Sequence, residues 1–347
     1  RRDRGCARSA GGSARSFGGP RERERLTGHL SPLPATANGF IWHFAKQAKG
    51  PLLVLLVAGG VSGGVDALLF SGVGWIVDAM ERGTPETFFA EHGTLLIALA
   101  LFTLIGRAFV LVAASIVEEQ IVSPSLYNRI RWQSYRRLMD QSYTFFQNDF
   151  AGRLAQKVQQ IGQATGDFIV TTLQTLWGFV TFVLLAVTIL GAIDWRMAAV
   201  LAVWSLGYGW IVTALLPQIR ERGRDRAAAN SIWTGRVVDS FTNILSVKLF
   251  DATRAEDAFV KDGFRSYVET VWRLARALTS VRSAVAILNG IMITGVGAVA
   301  VFGWQAGTVT TGGVATALGL VLRLNQMSGW MMFNINGLVR NYGTIQD

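Results

Sequence analysis

The sequence predicts an all-α integral membrane fold with six transmembrane helices and two long cytoplasmic helical hairpins. Half of the 347 residues are hydrophobic and only 16% are charged, a composition that excludes an ordinary soluble domain. The apolar residues fall into six stretches, and each is long enough to cross a hydrocarbon core of roughly 30 Å as a helix. The stretches are 52–79, 95–117, 168–193, 197–216, 283–303 and 312–333.

The gaps between these spans alternate in length. The gaps after the first, third and fifth spans are short, whereas the other two are long and carry charged and apolar residues interleaved at helical period. The long gaps cover 118–167 and 217–282, and the short ones cover 80–94, 194–196 and 304–311. This alternation predicts two helical hairpins that project far from one face of the membrane.

Each long gap predicts an outgoing helix, a short crossing segment and a returning helix. In the first gap, the crossing segment is predicted at Ser142–Phe150, between helices over 118–140 and 151–166. In the second, it is predicted at Trp233–Ile244, with helices over 218–226 and 253–282. At about 1.5 Å of rise per residue, the first outgoing helix extends roughly 35 Å.

The distribution of positive charge predicts the orientation. The formal net charge is +10, and Lys and Arg number ten in residues 1–50, six in 118–167 and twelve in 217–282. The three short gaps contain only Arg82 and Arg196. Basic residues favour the cytoplasmic side, so both termini and both hairpins are predicted there, in the plasma (inner) membrane. The basicity is thereby explained by topology, and no nucleic-acid partner is predicted.

The N-terminal part divides into two segments. Residues 1–39 are rich in Arg, Gly, Ser and Pro without apolar periodicity, which predicts a disordered basic tail; a membrane-surface or targeting role is the alternative. Residues 40–50 have an aromatic face followed by Lys46 and Lys49, which predicts an interfacial elbow helix. Six-helix transmembrane structure is then expected over 51–340.

Cysteine and histidine usage predicts no metal or disulfide site. Cys6 is the only cysteine in the sequence, so an intrachain disulfide cannot form. The three histidines, His29, His43 and His92, are scattered and have no ligand partner at helical spacing.

Glycines are concentrated in the first span. Small residues allow the backbones of two membrane helices to approach closely, so this span is predicted to pack tightly against another helix. The glycines are Gly59, Gly60, Gly63, Gly64, Gly72 and Gly74.

Three short strings carry a family resemblance. The first has paired aromatics, a glycine, a leucine two residues later and then a basic residue: Phe145, Phe146, Gly152, Leu154 and Lys157. The second runs over 235–244, with an acid before an apolar residue, and is followed by Val247-Lys248-Leu249-Phe250. The third is Asn341-Tyr342-Gly343-Thr344-Ile345-Gln346-Asp347.

In this order on a six-span frame, the strings resemble the transmembrane half of an ATP-binding-cassette (ABC) exporter of the multidrug and lipid-flippase type. The resemblance covers about 45–347 and implies that residues 341–347 begin the linker to a nucleotide-binding domain. It also implies that the crossing segments are coupling helices seated on an ATPase domain. The residues it assigns to that contact are Phe145, Phe146, Asp149, Phe150, Gly152, Gly235, Asp239, Phe241 and Ile244. Without the flanking arms, Phe145, Phe146 and Phe150 would be an ordinary membrane-surface anchor.

The sequence contains no G-x-x-x-x-G-K-[ST] string, so it carries no phosphate-binding loop of that kind. The resemblance implies that ATP and Mg²⁺ bind an ATPase domain, either beyond Asp347 in the same polypeptide or on a separate subunit. This chain would hold no cofactor of its own, and the full-length protein would be an ATP-hydrolysing translocase. A second transmembrane half, identical or different, is the other implied partner, beside the lipid bilayer. We expect the chain to be a fragment that ends within the linker.

Polar residues within the spans are candidates for the wall of a translocation path, because ionisable groups at such depth face water or a partner. The candidate cavity residues are Asp66, Arg107, Asn289, Arg323, Asn325, Trp330 and Met331, with Met332, Phe333 and Asn334 nearby. The alternative is structural: Asp66 would pair with Arg107 or Arg323, and the aromatic side chains would pack or face lipid.

Two other classes of membrane protein are compatible with the spans. An ion-coupled secondary transporter would use intramembrane carboxylates, of which Asp66 is the one plausible deep example. A non-transporting scaffold or receptor would use the long hairpins to bind a partner. The frame itself does not specify a substrate.

Overall fold

The computed structural model describes residues 34, 36–147, 151–251 and 253–346. The regular structure in these ranges is entirely helical, which confirms the all-α class. The helices are α1 Ala37–Gln47, α2 Lys49–Arg82, α3 Phe88–Met139, α4 Tyr143–Gln147, α5 Ala151–Ile193, α6 Trp195–Thr242, α7 Ile244–Leu249, α8 Thr253–Gln305 and α9 Thr311–Gln346. Residues 1–33 of the predicted basic tail lie outside the described part of the chain.

Five of the helices, α2, α3, α5, α6 and α8, are long and apolar enough to cross a membrane. The chain is thus a multi-pass integral membrane protein. The sixth predicted span lies on α9, which has 36 residues but is not among these five. Arg323, Asn325 and Gln326 interrupt its apolar sequence, so the count of six spans stays a prediction.

The predicted arms are direct continuations of the spans. Helix α3 has 52 residues, α6 has 48 and α8 has 53. At about 1.5 Å per residue these helices measure roughly 70–80 Å, more than twice the thickness of a hydrocarbon core. Each therefore projects beyond any bilayer that it crosses. We call this end of the molecule the arm side, and the end with the short connections the loop side.

The predicted position of the second crossing segment is wrong. Helix α6 continues to Thr242, and the turn between the arms is the short helix α7. The reason is contact between the arms: Trp233 stacks on Tyr267 of α8 at 5.5 Å and meets Phe264 at 5.4 Å. These contacts join residues more than 30 positions apart, so local sequence did not reveal that α6 stays helical here.

Further contacts hold the ends of the same two arms together. The guanidinium of Arg236 on α6 donates to the Phe259 carbonyl oxygen at 2.7 Å and to Asp262 Oδ2 at 3.1 Å. Nearer the tip, the Ser240 hydroxyl contacts the Glu256 carboxylate. Pairing along this length allows α6 and α8 to move as one rod.

A helix lies where the interfacial elbow helix is predicted, and it begins three residues earlier than predicted. It starts at Ala37, where the Thr36 hydroxyl accepts a hydrogen bond from the Gly39 N–H at 3.3 Å, as at a capped N-terminus. It ends at Gln47, Ala48 is the cap residue, and Lys49 already belongs to α2. At the other end of the chain, the Tyr342 hydroxyl donates to Asn38 Oδ1 at 2.9 Å, so α1 contacts the last turns of α9.

Two helices contain wide π-helical turns. In α3 these cover Phe102–Gly106 and Val117–Tyr127, and in α5 the turn covers Thr172–Leu176. The second segment contains Pro124. Proline has no N–H and crowds the carbonyl of the preceding turn, so a widened turn lets the helix continue past it.

The buried apolar side chains form two clusters. One joins α5, α6, α8 and α9, together with Ala67 of α2, around residues such as Phe182, Met292 and Leu320. The other joins α1, α2, α3 and α5, together with Ile345 of α9, around Phe44 and Leu55 where the arm part of α3 begins. The loop-side half of α3, from Phe88 to Ile116, contributes no buried residue. That apolar surface is available to lipid or to another chain.

The tightest helix crossing joins α2 to α9 near the loop side. A Cβ atom at Gly74 would lie 1.8 Å from Thr316 Oγ1, and one at Gly312 would lie 1.9 Å from the Gly74 carbonyl oxygen. Beside this crossing, Asp78 accepts hydrogen bonds from the Gly312 N–H at 2.6 Å and the Thr310 hydroxyl at 2.8 Å. A carboxylate at a helix N-terminus is favourable because it satisfies otherwise unpaired N–H groups. The prediction of close packing by the first span is confirmed here.

Candidate functional site

Three charged side chains meet within the membrane-spanning part of the bundle. Asp66 of α2 accepts from Arg323 of α9 at 2.5 Å through Oδ2 and pairs with Arg107 of α3 at 3.3 Å through Oδ1. The side chains of Asp66, Arg323 and Arg107 are 16%, 33% and 42% exposed. We call them the charged cluster; it joins three different helices, and its two cations outnumber its one anion.

The charged cluster separates two cavities. The polar cavity, of about 360 Å³, lies on the arm side among α2, α3, α5 and α9. The apolar groove, of about 860 Å³, lies on the loop side between α2, α3 and α9. All three residues of the cluster line both cavities, so they form the boundary between them.

The two cavities differ in chemistry. The polar cavity is lined by Ser62, Ser115, Glu118 and Gln174 besides the charged cluster, together with apolar residues such as Val110, Leu111 and Phe179. Gln174 donates to the Glu118 carboxylate at 2.8 Å. Wall residues of the apolar groove are mainly aliphatic. They include Leu69, Phe70, Val73, Ile76, Leu96, Leu99 and Leu104.

A second polar group is buried where α6, α8 and α9 meet. Asn289 of α8 accepts from Trp204 Nε1 at 2.9 Å, and its amide donates to Asn325 Oδ1 at 2.9 Å and to Ser328 Oγ at 2.7 Å. The Tyr208 hydroxyl donates to the Ser328 carbonyl oxygen at 3.0 Å. These bonds connect three helices where the surroundings are otherwise apolar.

Replacing Asn289 with alanine is expected to lower the free energy of unfolding by about 2 kcal/mol, because it removes three interhelical hydrogen bonds of roughly 0.6 kcal/mol each and leaves buried partners unpaired. Thermal unfolding in detergent would measure the change. Asn334→Ala is the matched control, since Asn334 is partly exposed and its one hydrogen bond to the described residues is to the Trp330 carbonyl oxygen of its own helix. Equal effects of the two substitutions would contradict the role given to the network.

The structure distributes the predicted cavity residues over two places. Asp66, Arg107, Arg323 and Trp330 line the polar cavity. Asn289 and Met331 are buried, and Asn325 contacts Asn289. For Asp66, the ion pair considered as the structural alternative is present and includes both arginines. Asp66 therefore both lines a cavity and forms ion pairs.

At the first arm tip, α4 carries the paired aromatics. Phe145 and Phe146 meet edge to face at 5.6 Å, and Tyr143 beside them is largely exposed. Gly152 lies in the first turn of α5, with no atom within 4 Å of where a Cβ would be. Asp149 and Phe150 lie outside the described residues.

At the second arm tip, the predicted residues spread over two helices. Gly235, Asp239 and Phe241 lie on the last turns of α6, and Ile244 begins α7. Three further apolar residues at this tip, Leu245, Leu249 and Phe250, are 70%, 72% and 82% exposed and were not among the residues predicted for this contact. The sequence signal for them is five apolar residues among the seven from Ile244 to Phe250, next to a turn where Asp251 has a positive φ of 50°.

The other arm pair, α3 and α5, is joined by polar contacts. The Tyr127 hydroxyl donates to Asp167 Oδ1 at 2.8 Å. Burial, followed by the contact with Asp167, raises the pKa of Tyr127 above its usual value near 10. The phenol, which is protonated at neutral pH like any tyrosine, therefore stays protonated and able to donate at still more alkaline pH. Gly166 makes room for its ring, since a Cβ there would lie 2.6 Å from Tyr127 Cε2.

The sequence of this chain is similar to that of known membrane transport proteins. Residues 52–327 match the family described as ABC transporter transmembrane region. A Haemophilus influenzae protein described as an uncharacterized ABC transporter ATP-binding protein is 30% identical over 308 residues, which cover 89% of this chain and 50% of that protein. The chain thus spans about half the length of this curated relative.

A solved structure described as a bacterial Atm1-family ABC exporter with ATP bound is similar in fold. The TM-score is 0.63 at 16% sequence identity, and the match covers 87% of this chain and 53% of the exporter chain.

Proposed function

This chain belongs to the ABC transporter transmembrane family, and from that premise we propose that it is the membrane-spanning half of an ATP-driven exporter. Its spans form the translocation pathway, and its arms couple ATP hydrolysis to alternating access. ATP and Mg²⁺ bind an ATPase domain that is not among these 347 residues. That domain belongs either to another part of the same polypeptide or to a separate subunit. A second transmembrane half, identical or different, completes the pathway. Both termini and both arm tips lie in the cytoplasm, and the protein resides in the plasma membrane.

One observation carries this proposal: apolar side chains are exposed at the tips of helices that reach well beyond a bilayer. Leu245 and Leu249 on α7 are exposed, yet α6 and α8 are roughly 70–80 Å long. Lipid therefore does not cover these side chains. An apolar patch in water marks a protein-binding surface, and an ATPase domain is the partner that the family supplies.

The arms are suited to transmit motion. Trp233 and Arg236 fasten α6 to α8 over several turns, and the helices continue without interruption from tip to span. A displacement of α7 would accordingly move the membrane-embedded parts of both helices. These contain Trp204 and Asn289, which bond to each other at 2.9 Å and thereby to α9.

A cysteine at position 323 should report alternating access in the full-length protein, with Cys6 and any other cysteine replaced. Arg323 borders both cavities, so a membrane-impermeant maleimide is expected to label Arg323→Cys from the arm side without nucleotide. Trapping with ATP and vanadate should move the labelling to the loop side. The rates of labelling in inside-out and right-side-out vesicles would measure this exchange.

Leu324→Cys is the matched control, because Leu324 is fully buried and should not be labelled in either state. The proposal would be contradicted if position 323 were protected from the maleimide both with and without nucleotide, or if its labelling were the same in both conditions. A secondary transporter would instead show labelling that responds to an ion gradient, and a scaffold would show no exchange.

A further inference from the structure

The charged cluster carries an uncompensated positive charge. Each oxygen of Asp66 is taken by a different guanidinium, Oδ2 by Arg323 at 2.5 Å and Oδ1 by Arg107 at 3.3 Å. Among the described residues that line the apolar groove, these three are the only ionisable ones. The groove therefore has a net charge of about +1, at a depth where an unpaired charge is costly.

The two arginines also retain hydrogen-bonding capacity. A guanidinium offers five N–H donors, and the contact with Asp66 uses one nitrogen of each arginine. In the described part of the chain, Nε of Arg323 is buried and has no hydrogen-bond partner. A buried donor without a partner raises the energy of the empty site. An acceptor in the groove can reach the exposed parts of the two arginines, whose side chains are 42% exposed for Arg107 and 33% exposed for Arg323.

Charge and shape together select the ligand. The groove has a volume of about 860 Å³, within the range of about 300–1,000 Å³ that ligand sites occupy. Aliphatic side chains of α2 and α3, such as Leu69 and Leu99, form its walls beyond the cluster. A cationic ligand would add to the positive charge, and a neutral one would leave it unpaired.

We propose that Arg107 and Arg323 bind the oxyanionic head of an amphiphile, a carboxylate or a phosphate, whose apolar body lies in the groove. This inference rests on the proposed function, because it names the substrate class of the same pathway. On the other side of the cluster, the carboxylate of Glu118 in the polar cavity disfavours an anion. The head accordingly sits at the arginines, with the apolar body directed toward the loop side.

Binding should be measured on the full-length protein in phosphatidylcholine nanodiscs, with decyl phosphate as the probe. Decyltrimethylammonium and decyl maltoside have the same chain with a cationic or a neutral head. We expect decyl phosphate to bind at least about tenfold more tightly than either. Arg107→Gln or Arg323→Gln should weaken decyl phosphate about tenfold, because each removes charge-assisted hydrogen bonds.

Asp66→Asn separates binding from a purely structural role. This change makes the cluster more positive and releases both arginines from Asp66, so decyl phosphate should bind several-fold more tightly. If the cluster had only a structural role, Arg107→Gln, Arg323→Gln and Asp66→Asn should all weaken the binding of decyl phosphate. Arg82→Gln, at the end of α2 and away from the cluster, should leave binding unchanged. If Arg323→Gln fails to fold, Arg107→Gln still tests the proposal, since Arg107 is the more exposed arginine.

Equal binding of the three probes, or weaker binding by Asp66→Asn, would overturn the inference. If labelling at position 323 still depends on nucleotide, that result would contradict the ligand proposal but not the proposed function. Loss of the nucleotide-dependent labelling would contradict the proposed function itself. Phosphatidylglycerol added to the nanodiscs identifies the source of the anion. Competition would support a bilayer lipid as the natural ligand, and its absence would support a soluble amphiphile.

Discussion

Replacing Gly74 with leucine is expected to prevent the bundle from folding stably. A Cβ atom at this position would lie 1.8 Å from Thr316 Oγ1 and 2.4 Å from the Gly312 carbonyl oxygen. The carbonyl belongs to the backbone of α9 and cannot move without separating the helices. Overpacking in an ordinary core costs about 1–3 kcal/mol, and a clash with backbone should exceed that. We expect a loss of at least about 3 kcal/mol and a low yield of monodisperse protein.

Gly209→Leu is the matched control for this substitution. Gly209 lies on α6, and no atom lies within 4 Å of where its Cβ would be. Both changes replace a helical glycine with the same side chain, so their effects on helix propensity are equal. Size-exclusion chromatography after heating would give the melting temperatures. A Gly74→Leu protein that melts with the Gly209→Leu control would show that α2 and α9 do not cross as described.

The second large effect is expected at the tip formed by α7. Replacing Leu245 and Leu249 together with aspartate should reduce the ATP-dependent exchange of labelling at position 323 by about 100-fold. Truncating an interface residue costs more than about 1 kcal/mol at the positions that dominate binding, so we expect about 1.4 kcal/mol for each leucine; the combined value of about 2.8 kcal/mol corresponds to about 100-fold in an equilibrium constant. Both side chains are largely exposed, so folding of the membrane part should be unaffected.

Ile232→Asp distinguishes the tip from the arm that carries it. Ile232 is also an exposed apolar residue of α6, about ten positions before the end of the helix. Its replacement should preserve the exchange within about threefold, because a single exposed position away from an interface contributes little. Equal loss in both proteins would indicate that the whole arm surface, rather than α7, binds the ATPase domain.

Hydrophobic spacing was sufficient to predict the helical class and the two arm pairs, because both depend on local periodicity. The end of α6 was not predictable in that way. Trp233 reaches Tyr267 only when two arms distant in sequence lie side by side. A polar stretch next to a short apolar run resembles a break unless that pairing is known.

In the candidate site, too, some features were predictable from local sequence and others depend on how the helices pack. Asp66 and Arg323 stand out in the sequence because charges within spans are rare. Whether Asp66 binds Arg107 or Arg323 depends on how α2, α3 and α9 pack, and the structure has both pairs. Asn289 illustrates the limit: a polar residue in a span can face a path or connect helices, and only the packing places it between Trp204 and Ser328.

The contact between Asp78 and the N-terminus of α9 has a mechanical meaning. Together with the Asp66–Arg323 pair in the middle and the Asn38–Tyr342 bond at the far end, it fixes α9 to α1 and α2 at three heights. In contrast, α3 shares only the longer pair of Asp66 with Arg107 in the charged cluster. The arm half of α3 is joined to α5 through Tyr127–Asp167 and Glu118–Gln174, whereas its loop-side half, from Phe88 to Ile116, has no buried residue. That loop-side half is therefore where α3 would separate first while α2 and α9 turn as one body.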